Sequence, residues 1–511
     1  MAFDQYAAPR AFFQKGGAPT HVVAIEDQER LQTYDLYEDI YWTQPQTYKI
    51  QQRGSDSAPI YLPSARGMVE ACNRFLCVDF GYLVVAQDDT TKQMVTALVN
   101  KIFKRELFFT KFATQKRYGL IRGDAFWHIT ADELAGAEGE GERISIHEVD
   151  AREVFPIKDS TNVDKTIGYH LVEVILDPDD PNKTKRMAKR QTYRKQEDGT
   201  ITSELMFFEP DKWDDRNIKE TDLKPIRKPG LEVDEFTLPP VIKSLPVYQV
   251  KNSRIPGLEF GMSEVFGIER VFGAVNQAVS DEELSLAMGG LGVFWTTSGP
   301  PKRDGQIVPW EIGPAMMMEL SKDAEVGRLS GVDSVQPSID HMNFMLGQIQ
   351  FGLGIPDIAA GKVDVDIAES GISLLLQLQP LLAKNAEKES SMIEKYDQMF
   401  FDLVHMWLVA FEGMPEEALV SMVAVAGDPL PQNRQAKIAE IIALATATPP
   451  LLSLEETRRE LQKLGYELQD QAAGGDSSLT DPIITQERLL AQARSFDPFA
   501  ERLAAENGAG A

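Results

Sequence analysis

Two cysteines in 511 residues cannot build a disulfide framework. Cys72 and Cys77, five apart in a segment of helical pattern, would also face different sides of that helix. A reduced, cytoplasmic assembly environment is expected. Histidine is as sparse: His21, His128, His147, His170, His341 and His405 are scattered, with no H-E-x-x-H or comparable ligand spacing. The chain has no G-x-x-x-x-G-K-[ST], so it does not burn ATP through a P-loop. GGLGVF (289–294) is not G-x-G-x-x-G, and there is no G-x-S-x-G elbow. No apolar run reaches about 18 residues, so no transmembrane helix is expected. The start, MAFDQYAAPRAFFQKGG, lacks a continuous apolar stretch and a small-residue cleavage site, so export is not expected either. Basic residues are outnumbered 52 to 78, and a net charge of −26 deters nonspecific adhesion to nucleic acid.

What is there reads as a folded chain of several domains. Hydrophobic residues make up 43 % and charged residues 25 %, ordinary proportions for a packed protein, and the length exceeds one domain of roughly 100 to 200 residues. The acidic excess is uneven. Residues 251–511 hold 38 acidic and 19 basic residues, a net −19 that leaves −7 for residues 1–250. Such a surface solubilises, and it also suits a wall beside DNA that must not grip it.

The texture divides near Pro256. Before it, YDLYEDIYW (34–42), YLPSARGMVEACNRFLCV (61–78) and residues 91–119 have helical spacing. The turn Arg122-Gly123-Asp124 then leads into strands: 125–129, ISIHEVD, GYHLVEVIL, a hairpin QTYRKQEDGTITSELMFFE turning on Asp198-Gly199, and 247–250. After Pro256, residues 262–290 carry a 29-residue helical pattern, about 43 Å long at 1.5 Å per residue. Gly267 and Gly273 lie inside it, each costing roughly 1 kcal/mol against alanine, which close helix approach would justify. A short β-like insert follows (LGVFWTTSG, then IVPWEIGPAMMMEL), and residues 338–353 are helical again. Pro356 and the glycines at each end keep GIPDIAAGKVDVDIAESG (354–371) from being regular helix. Residues 372–411 form a helix of about 60 Å, with a kink expected at Pro380. The remainder reads as helical, with an S-x-x-E capping box at 453–456 and a flexible linker at 469–481. There is no internal repeat.

The densest carboxylate group is Asp364, Asp366 and Glu369. A two-metal nuclease needs such carboxylates on a rigid scaffold; here they share a glycine-bounded loop with Lys362 and read first as solvated charge. Asp281-Glu282-Glu283 reads as a solvated helix face, and Asp124 as an aspartate bonding local backbone in a turn. Two basic groups, Lys101, Lys104, Arg105, Lys111, Lys116 and Arg117, then Lys183, Lys185, Arg186, Lys189, Arg190, Arg194 and Lys195, read first as solvated faces, with nucleic acid or an acidic neighbouring subunit as the alternative. The second alternates with polar residues on strands, which does not make a recognition helix.

The order of these elements resembles the portal proteins of tailed bacteriophages, in which an α/β wing leads to a stem helix, a β clip, a second stem helix, a tunnel loop, a long kinked helix and a helical crown. YLPSARGMVEACNRFL resembles the early portal helix; LIRGDAFWHI and VDAREVFPIKD resemble the wing. LPVYQVKNSRIPGLEFGMSEVFGIERVFGAVNQAVSDEELSL resembles the approach to the stem, and GIPDIAAGKVDVDIAESGISLLLQLQPLLAKNAEKE the tunnel loop and following helix. Together they cover roughly residues 60–410, and their specificity lies in their order and number. The resemblance implies an α+β fold with a mainly helical second half: N-terminal segment 1–60, wing 61–255, stem helix 256–290, clip 291–331, second stem helix 332–353, tunnel loop 354–371, long kinked helix 372–412, and crown with flexible C-terminus 413–511.

It further implies a non-enzymatic ring of about twelve copies at one capsid vertex, assembled in the host cytoplasm, with no cofactor and no membrane. Double-stranded DNA would pass non-specifically through the tunnel during packaging and ejection. Lys362 would be the phosphate contact in a loop that also carries Asp364, Asp366 and Glu369. Trp295, Lys302, Arg303 and Trp310, with Met316, Met317 and Met318, would form the clip surface where the large terminase subunit docks and the head-tail connector or adaptor follows. Gly267, Phe272 and Gly273 would pack stem helices of neighbouring copies. Major capsid and scaffolding proteins would be the other partners. Two readings of other classes compete: an acidic multidomain hydrolase or nuclease using Asp364, Asp366 and Glu369, and another phage structural subunit such as a tail or baseplate protein.

Overall fold

The computed structural model describes residues 22–23, 27–51, 58–159, 162, 165–177, 180, 185–210, 218–226, 234–256, 258–291, 293–300, 302–303, 306–307, 323–329, 336–360, 371–415, 420–427, 429 and 441–444. Compactness separates Met1–Gly427 from Asp428–Ala511. Of the second unit only residue 429 and one helical turn at 441–444 are described.

The first unit is mixed α/β, and its sheets are antiparallel apart from a two-residue parallel pair between 22–23 and 218–219. In chain order the elements are α1 (Gln28–Tyr41), α2 (Ser64–Arg74), β1 (Gly81–Ala86), α3 (Asp89–Arg105), α4 (Phe108–Arg122), β2 (Asp124–Ala131), β3 (Ile144–Val149), β4 (Val154–Lys158), β5 (Thr166–Leu176), β6 (Arg186–Lys195), β7 (Ile201–Pro210), β8 (Leu223–Pro225), β9 (Asp234–Thr237) and β10 (Val247–Lys251). They continue with α5 (Glu269–Leu291), β11 (Val293–Thr296), β12 (Lys302–Arg303), β13 (Gln306–Ile307), β14 (Val326–Leu329), α6 (Gln336–Leu353), α7 (Gly371–Asp402), α8 (Leu408–Phe411) and β15 (Val420–Val425). One sheet runs β8-β7-β6-β5-β4 with β9 also on β7; a second runs β10-β2-β3; β1 pairs with β15. The hairpin of β6 and β7 turns through Gln196–Thr200 rather than two residues, with the Gln196 N–H on the Thr200 carbonyl at 2.8 Å.

The core forms where α4, β2 and the second half of α7 meet. Met392, Tyr396, Met399, Phe400 and Leu403 recur at helical spacing and are all buried. Around them Phe80 stacks on Phe112 at 3.9 Å and Phe103 on Phe108 at 4.2 Å, and the indole N–H of Trp127 bonds the Tyr396 hydroxyl at 3.0 Å. Offset and edge-on ring pairs of this kind add roughly 0.5 to 1.5 kcal/mol each beyond their buried area.

Several sequence expectations need correction. Residues 91–119 are two helices, broken where Leu107 takes φ +52. Cys77 lies beyond the end of α2, with φ +45, and both cysteines are buried and free. The first long helix starts at Glu269, not 262, and spans 23 residues, about 35 Å. Gly267 precedes it at φ +83 with open space around its Cα, so it serves a left-handed turn ahead of the helix and meets nothing of its own chain there. The second long helix runs as α helix to Asp402, then as a π turn over Leu403–Trp407, then as α8. Residues 420–425, expected to be helical, form β15, because Val420, Met422 and Ala424 alternate inward against β1.

Candidate functional site

The helix pair α5 and α6 joins the body through a buried ionic joint. Glu264 lies just ahead of α5 and is 2.7 Å from the Lys384 ammonium; it also pairs with Lys388 and accepts from Asn252 Nδ2 at 2.9 Å. Lys384 donates in addition to the Leu353 carbonyl at the end of α6, at 3.1 Å. One carboxylate and two ammonium groups thus tie the start of α5, the end of α6 and α7 together. Burial alone would raise the Glu264 carboxyl; the facing Lys388 and Lys384 charges overcome that and hold it at about 2. Removing one partner of such a buried pair strands the other charge.

Side chains of α5 also hold the extended segment before α2. Asn276 Oδ1 accepts the Leu62 N–H at 2.8 Å and Ser280 Oγ the Ile60 N–H at 2.9 Å. Below this, Phe272 is buried within the chain, and Gly273 faces the Tyr48 ring at ordinary contact distance. Phe272 therefore packs within one chain.

Beyond that base, few of the described side chains are buried. Helix α6 has 18 residues and only one charged side chain, Asp340, yet only Ile349 and Leu353 are buried. Phe344 is 62 % and Phe351 85 % exposed. The β strands between α5 and α6 continue the pattern: Trp295 on β11 covers Gly327 of β14, where any side chain would run into the indole, and is 41 % exposed; Ile307 is 68 % exposed. Lys302 and Arg303, expected in a turn at 300–305, instead form β12 against Gln306 and Ile307. Trp310 and Met316 to Met318 lie outside the described residues, as do Lys362, Asp364, Asp366 and Glu369. Among the described residues no group of three or more His, Cys, Asp or Glu could hold a metal ion, and no helix is long and apolar enough to cross a membrane.

The other residues singled out by sequence serve the fold. Asp124 is buried and its partners are distant rather than local: it accepts from the Tyr34 hydroxyl at 2.7 Å, Gln249 Nε2 at 2.8 Å and the Gly261 N–H at 2.9 Å. Burial raises its carboxyl to about 6 against those donors. Gly123 and Gly261 permit this approach, since a Cβ on either would collide with the other's carbonyl. In the first basic group, Lys116 donates to the Asn73 and Leu76 carbonyls, Lys111 to the Ile146 carbonyl and Glu106, and Arg117 to Glu70. These cations are internal ties, not the solvated face expected. In the second, Lys189 faces Glu173 and Arg190 faces Glu204 across the sheet. His128 bonds the Tyr193 hydroxyl at 3.0 Å, and burial lowers its imidazole to about 3, so it stays neutral.

Sequence reasoning missed the ionic joint. The signal was the pair Lys384 and Lys388, one turn apart within LLAKNAEKE and so on one face of the helix. It also missed Glu412, whose carboxylate gathers the N–H groups of Gly139, Gly141 and Arg143 at 3.0, 3.0 and 3.1 Å.

No family model and no curated protein matches the chain. Among solved structures it is similar to a chain in the virion of a native gene transfer agent (GTA) particle, at a TM-score of 0.43 and 11 % identity over 84 % of this chain and 93 % of that one.

Proposed function

We propose that this chain is a portal subunit: copies stand side by side in a ring of about twelve at a capsid vertex, around a tunnel for double-stranded DNA. The ring acts as conduit, gate and docking platform, with the ATPase in a separate terminase. The observation that carries this reading is α6, an apolar, almost uncharged helix with only two residues buried in the single chain. Exposed apolar surface of that kind is a contact surface waiting for a partner, and a helix pair bracketing a small β module in the order described above supplies it. The acidic second half suits a tunnel wall, since repulsion between exposed charges and phosphate persists over only about 8 Å at physiological salt and lets DNA slide. Terminase and then connector proteins would meet the β module through Trp295, Lys302 and Arg303, and capsid and scaffolding proteins would meet the wing. No step of this role is enzymatic.

Native mass spectrometry and negative-stain imaging of the purified full chain test the reading. Closed rings of about twelve copies with a central hole are expected; monomers under assembly conditions overturn it. Deleting residues 361–369 should leave rings intact and block DNA packaging or retention. Normal packaging by that deletion would remove the tunnel-loop role.

A further inference from the structure

Away from the helix pair, an apolar cavity of about 560 Å³ opens beside a free strand edge. Its walls include Tyr193 on β6, Phe236 on β9, Leu238 and Pro239 just after β9, and Trp407 and Phe411. Trp407 ends the π turn, and its ring stacks with Phe411 at 5.8 Å. Such turns recur at functional sites because they re-aim side chains. Phe236 is 43 % exposed although it forms part of the wall.

The edge is supplied by β9. It pairs with β7 on one side, and among the described residues its other side pairs with nothing. The Leu238 N–H bonds the Ile201 carbonyl at 2.9 Å. Antiparallel alternation therefore turns the backbone groups of Phe236 toward β7 and those of Glu235 and Thr237 outward. Phe236 shares its face of β9 with Asp234, and Glu133 lies on the cavity wall. Neither carboxylate has a partner among the described residues. The nearby cations are engaged or turned away: Lys195 donates to the Lys243 carbonyl at 2.7 Å, and Arg194 points to the opposite face of β6 from Tyr193.

We propose that this edge and cavity receive an extended basic segment of a partner protein. The segment adds to β9 as a further strand, bonding the outward groups of Glu235 and Thr237, and places one aromatic or large aliphatic side chain in the cavity. Flanking lysines or arginines meet Asp234 and Glu133. A chain of net charge −26 is a poor source of such a segment, which favours a different protein over a second copy. This inference stands apart from the ring reading and holds for a monomer as well.

The test is fluorescence anisotropy of a labelled peptide, Lys-Val-Lys-Thr-Phe-Thr-Lys-Val-Lys, with the full-length chain. Replacing its phenylalanine by serine, or its lysines by glutamate, should weaken binding by about tenfold or more. Phe236→Ala should do the same. So should Thr237→Pro, which removes an outward N–H at an edge where proline leaves the β7 ladder intact. Thr237→Val keeps that N–H and should bind like the parent chain, which separates a lost bond from a misfolded edge. No binding to the parent chain, equal binding of the serine peptide, or an unaffected Thr237→Pro chain overturns the proposal. It is overturned as well if Phe236→Ala alone lowers the chain's own oligomeric state, because a second copy would then occupy the site.

Discussion

The body around α7 and the helix pair α5–α6 treat apolar side chains in opposite ways. In the body, Phe108, Trp127, Tyr396, Phe400 and Trp407 are all at most 1 % exposed, and polar groups reach partners far along the chain. Buried polar groups behave so because an unmade bond costs about 1–3 kcal/mol. In the helix pair and its β module, Phe344, Phe351, Ile307 and Trp295 stay exposed to water. A monomer gains nothing from that arrangement. The body buries its large aromatic rings within one chain, and the helix pair leaves its own exposed for the subunit contact proposed above.

Substitutions that strike each region once give the sharpest break. Phe400→Ala in the body should lower unfolding free energy by about 3–5 kcal/mol. Lys388→Met should cost a similar amount, about 3–5 kcal/mol, because Glu264 would remain buried and charged with one ammonium fewer. Adding Glu264→Gln to Lys388→Met should recover most of that loss, and urea titrations of the four chains would measure the coupling. Phe351→Glu, by contrast, should leave unfolding of the isolated chain within about 0.5 kcal/mol while abolishing ring formation in negative-stain images. If Phe351→Glu destabilises the chain as much as Phe400→Ala does, the distinction between the two regions fails.

This division also explains what could be read from sequence. β-branched and aromatic runs in GYHLVEVIL and QTYRKQEDGTITSELMFFE, with the Asp198-Gly199 turn between the last two, placed β5 to β7 closely, although adjacent residues such as Leu171 and Val172, or Met187 and Ala188, are buried together. Helical spacing found α6 and most of α7. It misplaced the start of α5, because Val265 and Phe266 keep the helical period while Gly267 turns the backbone left-handed. It read VSMVAV as helix because Val420, Met422 and Ala424 alternate over too short a run to stand out, and only β1, more than 300 residues earlier in the chain, makes them a strand. Of the expected site, Trp295 falls in a β strand as read, while the basic pair at 302–303, read as part of a turn at 300–305, forms a short strand instead. The lysines of the first basic group looked solvated because charge is visible in a sequence and the carbonyls of Asn73, Leu76 and Ile146 that receive them are not.

A smaller effect tests the joint between the regions through pH. Glu264 sits at about 2 in the folded chain against an ordinary 4.5. A depressed carboxyl contributes stability that is fully present above its unfolded value and is lost as pH falls through its folded one. The window is therefore about pH 4.5 down to 2, and the shift corresponds to about 3 kcal/mol. The stability difference between the parent chain and Glu264→Gln should hold constant from pH 7 to 5 and shrink by about that amount below. A difference that stays flat to pH 3 would mean that Glu264 does not carry its charge in the joint.

The smallest effects come from the two glycines at the start of the first helix, and they should have opposite signs. Gly267 has φ +83 and open surroundings, so Gly267→Ala adds no clash but forces alanine into the left-handed region, a cost of about 1–2 kcal/mol. Gly273 lies inside α5, where an added Cβ would meet the Tyr48 ring at 3.9 Å. Ordinary contact and the helix preference of alanine should make Gly273→Ala stabilising by about 0.5–1 kcal/mol in the isolated chain. The same variant decides whether α5 approaches a neighbouring copy there. If a second subunit lies against Gly273, the methyl group that stabilises the monomer must obstruct the ring, and gain in thermal stability will come with loss of assembly. Should both improve or assembly stay unchanged, Gly273 is a helix defect of the single chain, and the neighbour packs elsewhere, against Phe344 and Phe351.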